Sequence, residues 1–256
     1  MTEQTTTLDA LRMSVRRLRG IVEPLDADAI AQSAYPSEWT IAQVMSHLGS
    51  GAVILQRRLE DELAGTTTSD EFAPRIWDEW NAKSPRAQVD DGLGADAAFL
   101  AALDALRADE RDEFAFVMGP IRVDFDGFVG LRLNEHALHT WDIDVALDPS
   151  ATIPTPIAAL VVDRLELVGR YTALPTAGDP TTITVQTIDP ARWFVLELTA
   201  EGATLAPSMT TGNGDIELAA EAFARLVYGR LDAAHTPPLA GDPAIIERLR
   251  ATYPGP

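Results

Sequence analysis

His47, Glu135, His136 and His139 are the side chains whose types and spacing suit a metal ion, and they include three of the four histidines in the chain. Glu135 and His139 stand four residues apart, so on a helix they share a face, which His47 can approach from a neighbouring helix. Two histidines and one carboxylate leave coordination positions open to water or substrate. Structural zinc sites close all four positions, so an open set predicts a catalytic metal.

The spacing leaves one choice open. At 3.6 residues per turn, Glu135 and His139 are separated by about 40°, His136 and His139 by about 60° the other way, and Glu135 and His136 by about 100°. Those angles alone do not choose between Glu135 and His136. The apolar context favours Glu135, which lies four residues after Leu131 and three before Leu138, on a stripe completed by Trp141. A carboxylate buried there is costly unless a cation holds it, so Glu135 is expected to face inward and His136 to lie on the flank.

The chain has no cysteine, which removes disulfides, cysteine-rich zinc sites and a thiol nucleophile of its own. Any sulfur chemistry must use a thiol brought by a cosubstrate. A net charge of -19 argues against nucleic-acid or anionic-membrane partners. Residues 1–10 are too polar for a secretory signal and no apolar run approaches a membrane span, so the expected location is cytoplasmic. The hydrophobic fraction of 46% is that of a globular chain able to bury a core.

The elements that must position these side chains can be read from periodicity. Leu8, Leu11, Val15, Leu18 and Val22 predict an amphipathic helix over residues 5–25. A short helix over 26–34 should end at Tyr35-Pro36, because proline disfavours helix in the residue before it. Thr40 and Gln43 form a capping box that opens a long helix through His47, closed by Gly65. Trp77 and Trp80 mark a short helix before Pro85, and residues 95–108 and 125–147 read as helices, the latter ended by Pro149. Four principal helices over 1–150 predict a bundle. In 151–256 the pattern predicts a helix over 157–171, strands over 182–188 and 193–198 turning at Asp189-Pro190, strands near 203–206 and 208–211, and a helix over 215–228. That is a small α+β layer.

Trp39-Thr40 with the helix carrying His47-Leu48, together with Glu135-x-x-x-His139 running into Thr140-Trp141-Asp142-Ile143, resembles the mycothiol-dependent maleylpyruvate isomerase family, part of the DinB-like superfamily. The likeness extends through Asp215, Leu226 to Arg230, Gly241-Asp242 and Tyr253-Pro254. It implies an α+β protein with a DinB-like four-helix bundle at 1–150 and a sterol-carrier-protein-like domain at 151–256. It also implies a divalent metal, usually zinc, held by His47, Glu135 and His139, and mycothiol, the small thiol of actinobacteria, as cosubstrate. A metal-activated thiolate would add to a small electrophile, giving cis-trans isomerisation if later expelled and S-transfer if retained. The resemblance leaves the electrophile and the oligomeric state unspecified. Metal-dependent hydrolysis of a thiol conjugate and non-catalytic binding of an apolar ligand are the alternatives.

Arg230 is the expected contact for an anionic group of the substrates, since a guanidinium offers carboxylates a bidentate fork. Arg225 and Arg132 are lesser candidates. Asp142 and Asp144 are read mainly as helix-surface carboxylates, with orientation of a ligating histidine as their functional alternative. Trp77, Trp80 and Asn81 read mainly as core, with a cleft wall as alternative, and His235 as an exposed loop residue.

Overall fold

The computed structural model describes residues 5–35, 38–119, 121–175 and 179–255. Two compact units divide the chain, Met1–Asp148 and Pro149–Pro256. Pro36, expected to end the second helix, lies outside the described residues.

Among the described residues of the first unit, four long helices dominate. α1 (Thr7–Val22) starts where the Thr6 side chain accepts from the Asp9 amide, and it buries Leu8, Leu11, Val15, Leu18 and Val22. α2 (Ala27–Ile30) is a single turn. α3 (Ile41–Ala64) opens on the full Thr40/Gln43 capping box and stops at Gly65, whose φ of 65° is readily reached only without a Cβ. α4 (Phe72–Asn81) and α5 (Pro85–Ala105) follow, then α6 (Ala108–Glu113). An antiparallel pair, β1 (Phe116–Met118) and β2 (Ile121–Val123), leads to α7 (Phe125–Leu147), capped by Asp124.

The core of this unit unites Leu18 and Val22 of α1, Ile41, Val44, Met45 and Leu48 of α3, Val89 and Leu93 of α5, and Ile143 of α7. α3 and α5 approach closely because glycines face each other: a Cβ at Gly49 would sit 2.8 Å from Gly92 Cα and 2.2 Å from the Trp80 ring. α5 is longer than expected from the sequence, because Pro85 opens it at the first helical position, with Ser84 as cap, instead of merely following α4.

The second unit begins with α8 (Thr155–Val162) and α9 (Leu165–Thr172), two helices where periodicity predicts one. Its strands are β3 (Thr181–Ile188), β4 (Arg192–Thr199), β5 (Gly202–Pro207), β6 (Ile216–Ala219) and, after helix α10 (Ala220–Val227), β7 (Ala240–Gly241). α11 (Pro243–Thr252) closes the chain. The sheet order is β5-β4-β3-β6-β7, with β3 and β6 parallel and the other pairs antiparallel. Ile183, Val185, Phe194, Leu196 and Leu198 are buried, alternating with more exposed neighbours. The expected strand at 208–211 is absent, and residues 216–219 of the expected helix are strand, because Val185↔Ile216 pairing captures them. Among the described residues no helix is long and apolar enough to cross a membrane.

Candidate metal centre

His47 sits in the second turn of α3, and Glu135 and His139 stand on adjacent turns of α7. The fold brings the three together: one ligand atom from each lies within 4.8 Å of the others. His47 Nε2 is 3.3 Å from Glu135 Oε2, and His139 Nε2 is 3.6 Å from the same oxygen. A tetrahedral ion with bonds of about 2.1 Å needs ligand atoms about 3.4 Å apart, so the donor set fits a first-row divalent metal in both spacing and chemistry. The side chains of Glu135 and His47 are 50% and 37% exposed, whereas that of His139 is 10% exposed. Solvent therefore reaches the set across Glu135 and His47.

His139 is oriented from behind. Its Nδ1–H donates to Asp142 Oδ2 at 2.8 Å, and Asp142 is fully buried. A proton fixed on Nδ1 leaves the Nε2 lone pair for a metal. Asp142 thus takes the orienting role that the sequence reading ranked second, while Asp144 pairs with Arg17. Desolvation raises the Glu135 pKa, but hydrogen bonds and charge from His139 and His47 outweigh it and hold the carboxyl well below the usual range. Trp39 adds an aromatic wall: its ring centre is 5.3 Å from that of His47 and 6.2 Å from that of His139, which it stacks upon.

The expected orientations of Glu135 and His136 are reversed. Glu135 is on the solvent-reached side, and His136 is wholly buried. The apolar stripe misleads because α7 is buried on nearly every face. His136 Nε2 lies 3.2 Å from Asp96 Oδ2, and its Nδ1 is 2.7 Å from Ser14 Oγ and 3.2 Å from Thr140 Oγ1. Burial depresses the His136 pKa. At Asp96 burial opposes the anion, yet His136 and Arg132 prevail and the pKa falls. No local signal in the sequence marks Asp96, since an aspartate in an alanine-rich helix reads as a surface residue.

Arg132 is an interior residue: its Nη2 donates to Asp96 Oδ1 at 2.5 Å and to the Leu48 carbonyl at 2.8 Å. Arg225 is likewise buried, with a two-point pair to Glu221. Neither presents a solvent-facing fork. Arg230 is buried within the second unit, and its Nη1 donates to the Tyr228 carbonyl at 2.9 Å. Trp80 is core beside Ile54 and Ile76, Trp77 is exposed, and Asn81 accepts from Ser46 Oγ at 3.5 Å. His235 is a partly buried loop residue whose Nδ1 lies 2.8 Å from Asp232 Oδ1. A separate cavity of about 330 Å³, lined by residues including Arg58, Asp61, Thr68, Phe72 and Phe116, shares no residue with the metal set.

Residues 11–144, more than half of the chain, match the family model described as the mycothiol maleylpyruvate isomerase N-terminal domain. Two solved structures are similar to the chain at 14% identity and a TM-score of 0.63. One is a crystal structure of mycothiol-dependent maleylpyruvate isomerase, covering 91% of this chain and 93% of its own. The other is a histidine-to-alanine mutant of an enzyme with that name, covering 88% of each. This likeness shows the fold, a helical N-terminal part followed by a small sheet domain. No curated protein matches the sequence.

Proposed function

The chain belongs to the mycothiol maleylpyruvate isomerase family of enzymes, and on that premise we propose that it is a metal-dependent enzyme that uses mycothiol to isomerise, or transfer sulfur to, a small electrophile. The observation that carries the reading is the meeting of His47, Glu135 and His139 at ligand spacing on a solvent-reached face. A divalent metal, zinc by preference for this nitrogen and oxygen set, would be held by these three and would supply positive charge that lowers the pKa of a thiol brought to it.

The side chains do the rest. Asp142 holds the His139 tautomer, and Glu135, already ionised, needs no proton removed before it ligates. Trp39 shields one side of the two imidazoles from water. On this reading the thiol gives up its proton to solvent, and the thiolate forms a carbon–sulfur bond with a conjugated electrophile while the double-bond electrons move onto the adjacent carbon as a carbanion delocalised into the electrophile's own carbonyl. Rotation about the former double bond and breaking of the carbon–sulfur bond give the isomer; protonation of the carbanion instead gives the conjugate. The family likeness supports Arg230 as the contact for an anionic group of the substrates, a role that requires its buried guanidinium to turn from the Tyr228 carbonyl; Arg230→Lys should raise KM more than it lowers kcat.

Two measurements test the proposal. Protein purified without added metal should carry about one divalent ion per chain and lose it in His47→Ala. Metal-loaded protein should consume mycothiol or isomerise maleylpyruvate. Full metal occupancy in His47→Ala, or an intact holoprotein that leaves mycothiol untouched with a panel of electrophiles including maleylpyruvate, refutes it.

A further inference from the structure

A charged cluster lies behind the metal face, and the chemistry proposed above does not use it. Arg132, Asp96 and His136 are closed to solvent, as are Ser14 and Thr140. The cluster joins the four long helices of the first unit: Ser14 comes from α1, the Leu48 carbonyl from α3, Asp96 from α5, and Arg132, His136 and Thr140 from α7. Its two attachments to the ligand helices are adjacent to the ligands themselves. Leu48 follows His47, and His136 follows Glu135.

Apolar packing leaves a helix some freedom to slide or roll, because dispersion and burial are not directional. A guanidinium shared between a carboxylate and a carbonyl is directional. Arg132 Nη2 reaches Asp96 Oδ1 at 2.5 Å and the Leu48 carbonyl at 2.8 Å, so α3 is held to α7 at one position along its length. The guanidinium also passes close to Gly51, where a Cβ would lie 3.2 Å from Arg132 Nη1 and would press the group by a few tenths of an ångström. Buried ion pairs add little net stability over well-packed apolar residues, and their best attested use is to fix register.

We infer that the Arg132–Asp96–His136 cluster is a positioning device that sets the register of α3 against α7, so that His47 meets Glu135 and His139 at ligand distance. The inference rests on the metal reading above. If the cluster served stability alone, its loss would lower the melting temperature and leave the metal affinity of folded protein unchanged.

The test compares wild type with Arg132→Met/Asp96→Asn and with Gly51→Ala. The double variant removes both charges together and leaves an amide for His136; Gly51→Ala presses a methyl on the Arg132 fork while favouring helix in α3. Cobalt and zinc dissociation constants, the visible spectrum of the cobalt protein, and melting of the metal-free form are measured for each. Expected are metal-free melting close to wild type for both variants, a metal dissociation constant raised about tenfold or more in the double variant, and one raised roughly threefold in Gly51→Ala, each with an altered cobalt spectrum. Folded variants that bind as tightly as wild type with its cobalt spectrum overturn the inference. If the double variant does not fold, Gly51→Ala alone decides in the same way. A wild-type protein that takes up neither metal overturns the metal reading instead.

Discussion

Asp142→Asn should weaken metal binding without unfolding the protein. Asp142 is fully buried and accepts from His139 Nδ1 at 2.8 Å, a charge-assisted bond. Bonds to a charged group contribute about 1.5–3 kcal/mol and neutral ones about 0.5–1.5 kcal/mol, so the exchange of carboxylate for amide removes about 1–1.5 kcal/mol from the ligating form of His139. That corresponds to a metal dissociation constant raised about five- to twelvefold. A second effect acts in the same direction. The asparagine can turn its NH₂ toward Nδ1, which favours the tautomer with the proton on Nε2, the atom that must face the metal, and moves the loss toward the upper part of the roughly 10–100-fold range seen for such partners. The assay is competition with a chromophoric chelator near neutral pH, with zinc and with cobalt, alongside melting of the metal-free protein. Asp144→Asn is the control, because Asp144, on the same helix as Asp142, pairs instead with Arg17 of α1 and should leave affinity within about twofold. An Asp142→Asn protein that melts normally and binds within twofold of wild type refutes the reasoning, as does an Asp144→Asn protein weakened equally.

Asp61 is held at about 2, below its ordinary 3.8, by Arg57 first and then by Thr68 and Thr66. A depressed carboxylate stabilises the fold above its unfolded value and loses that contribution as pH falls from 3.8 through about 2. Asp61→Asn should therefore lower the melting temperature at neutral pH, and the gap from wild type should close over that acid window; an equal gap at every pH contradicts it. Tyr253 is buried with no hydrogen-bond partner for its hydroxyl among the described residues, and burial pushes its pKa up from 10.0 to about 12. Deprotonation then favours the unfolded chain as pH rises from 10.0 through about 12, so Tyr253→Phe should melt higher by about 1 kcal/mol near neutral pH and resist alkaline unfolding better. Denaturant titrations at neutral and alkaline pH check this, and a less stable phenylalanine variant at both overturns it.

What could be read from residues was governed by how local the deciding physics is. The Thr40/Gln43 capping box and Gly65 set α3 within their own few residues, so His47 was placed correctly in its second turn. Residues 216–219 failed for the opposite reason, because β6 exists through parallel pairing with β3, about thirty residues earlier, which no local pattern announces. Asp96 was equally hidden, since its partners on α7 lie 36 and 40 residues away.

The reversal at Glu135 and His136 separates two properties that an apolar stripe conflates. On a helix with one buried face, inward position and apolar neighbours coincide. On α7 they do not: Arg132, Asn134, His136, His139, Thr140 and Asp142 are all buried polar residues, and half-exposed Glu135 interrupts them. Of the three side chains that meet at ligand spacing, His47 and Glu135 are nearer solvent and His139 is buried behind them, while Arg132 and His136 tie helices together. Exchange of Glu135 should accordingly empty the metal site and lower melting of the metal-free protein only by the loss of its half-exposed bonds to His47 and His139, while exchange of Asp96 alone strands the Arg132 charge in the interior and lowers melting further, with or without metal. Equal losses of metal-free stability in the two variants would remove that division of labour.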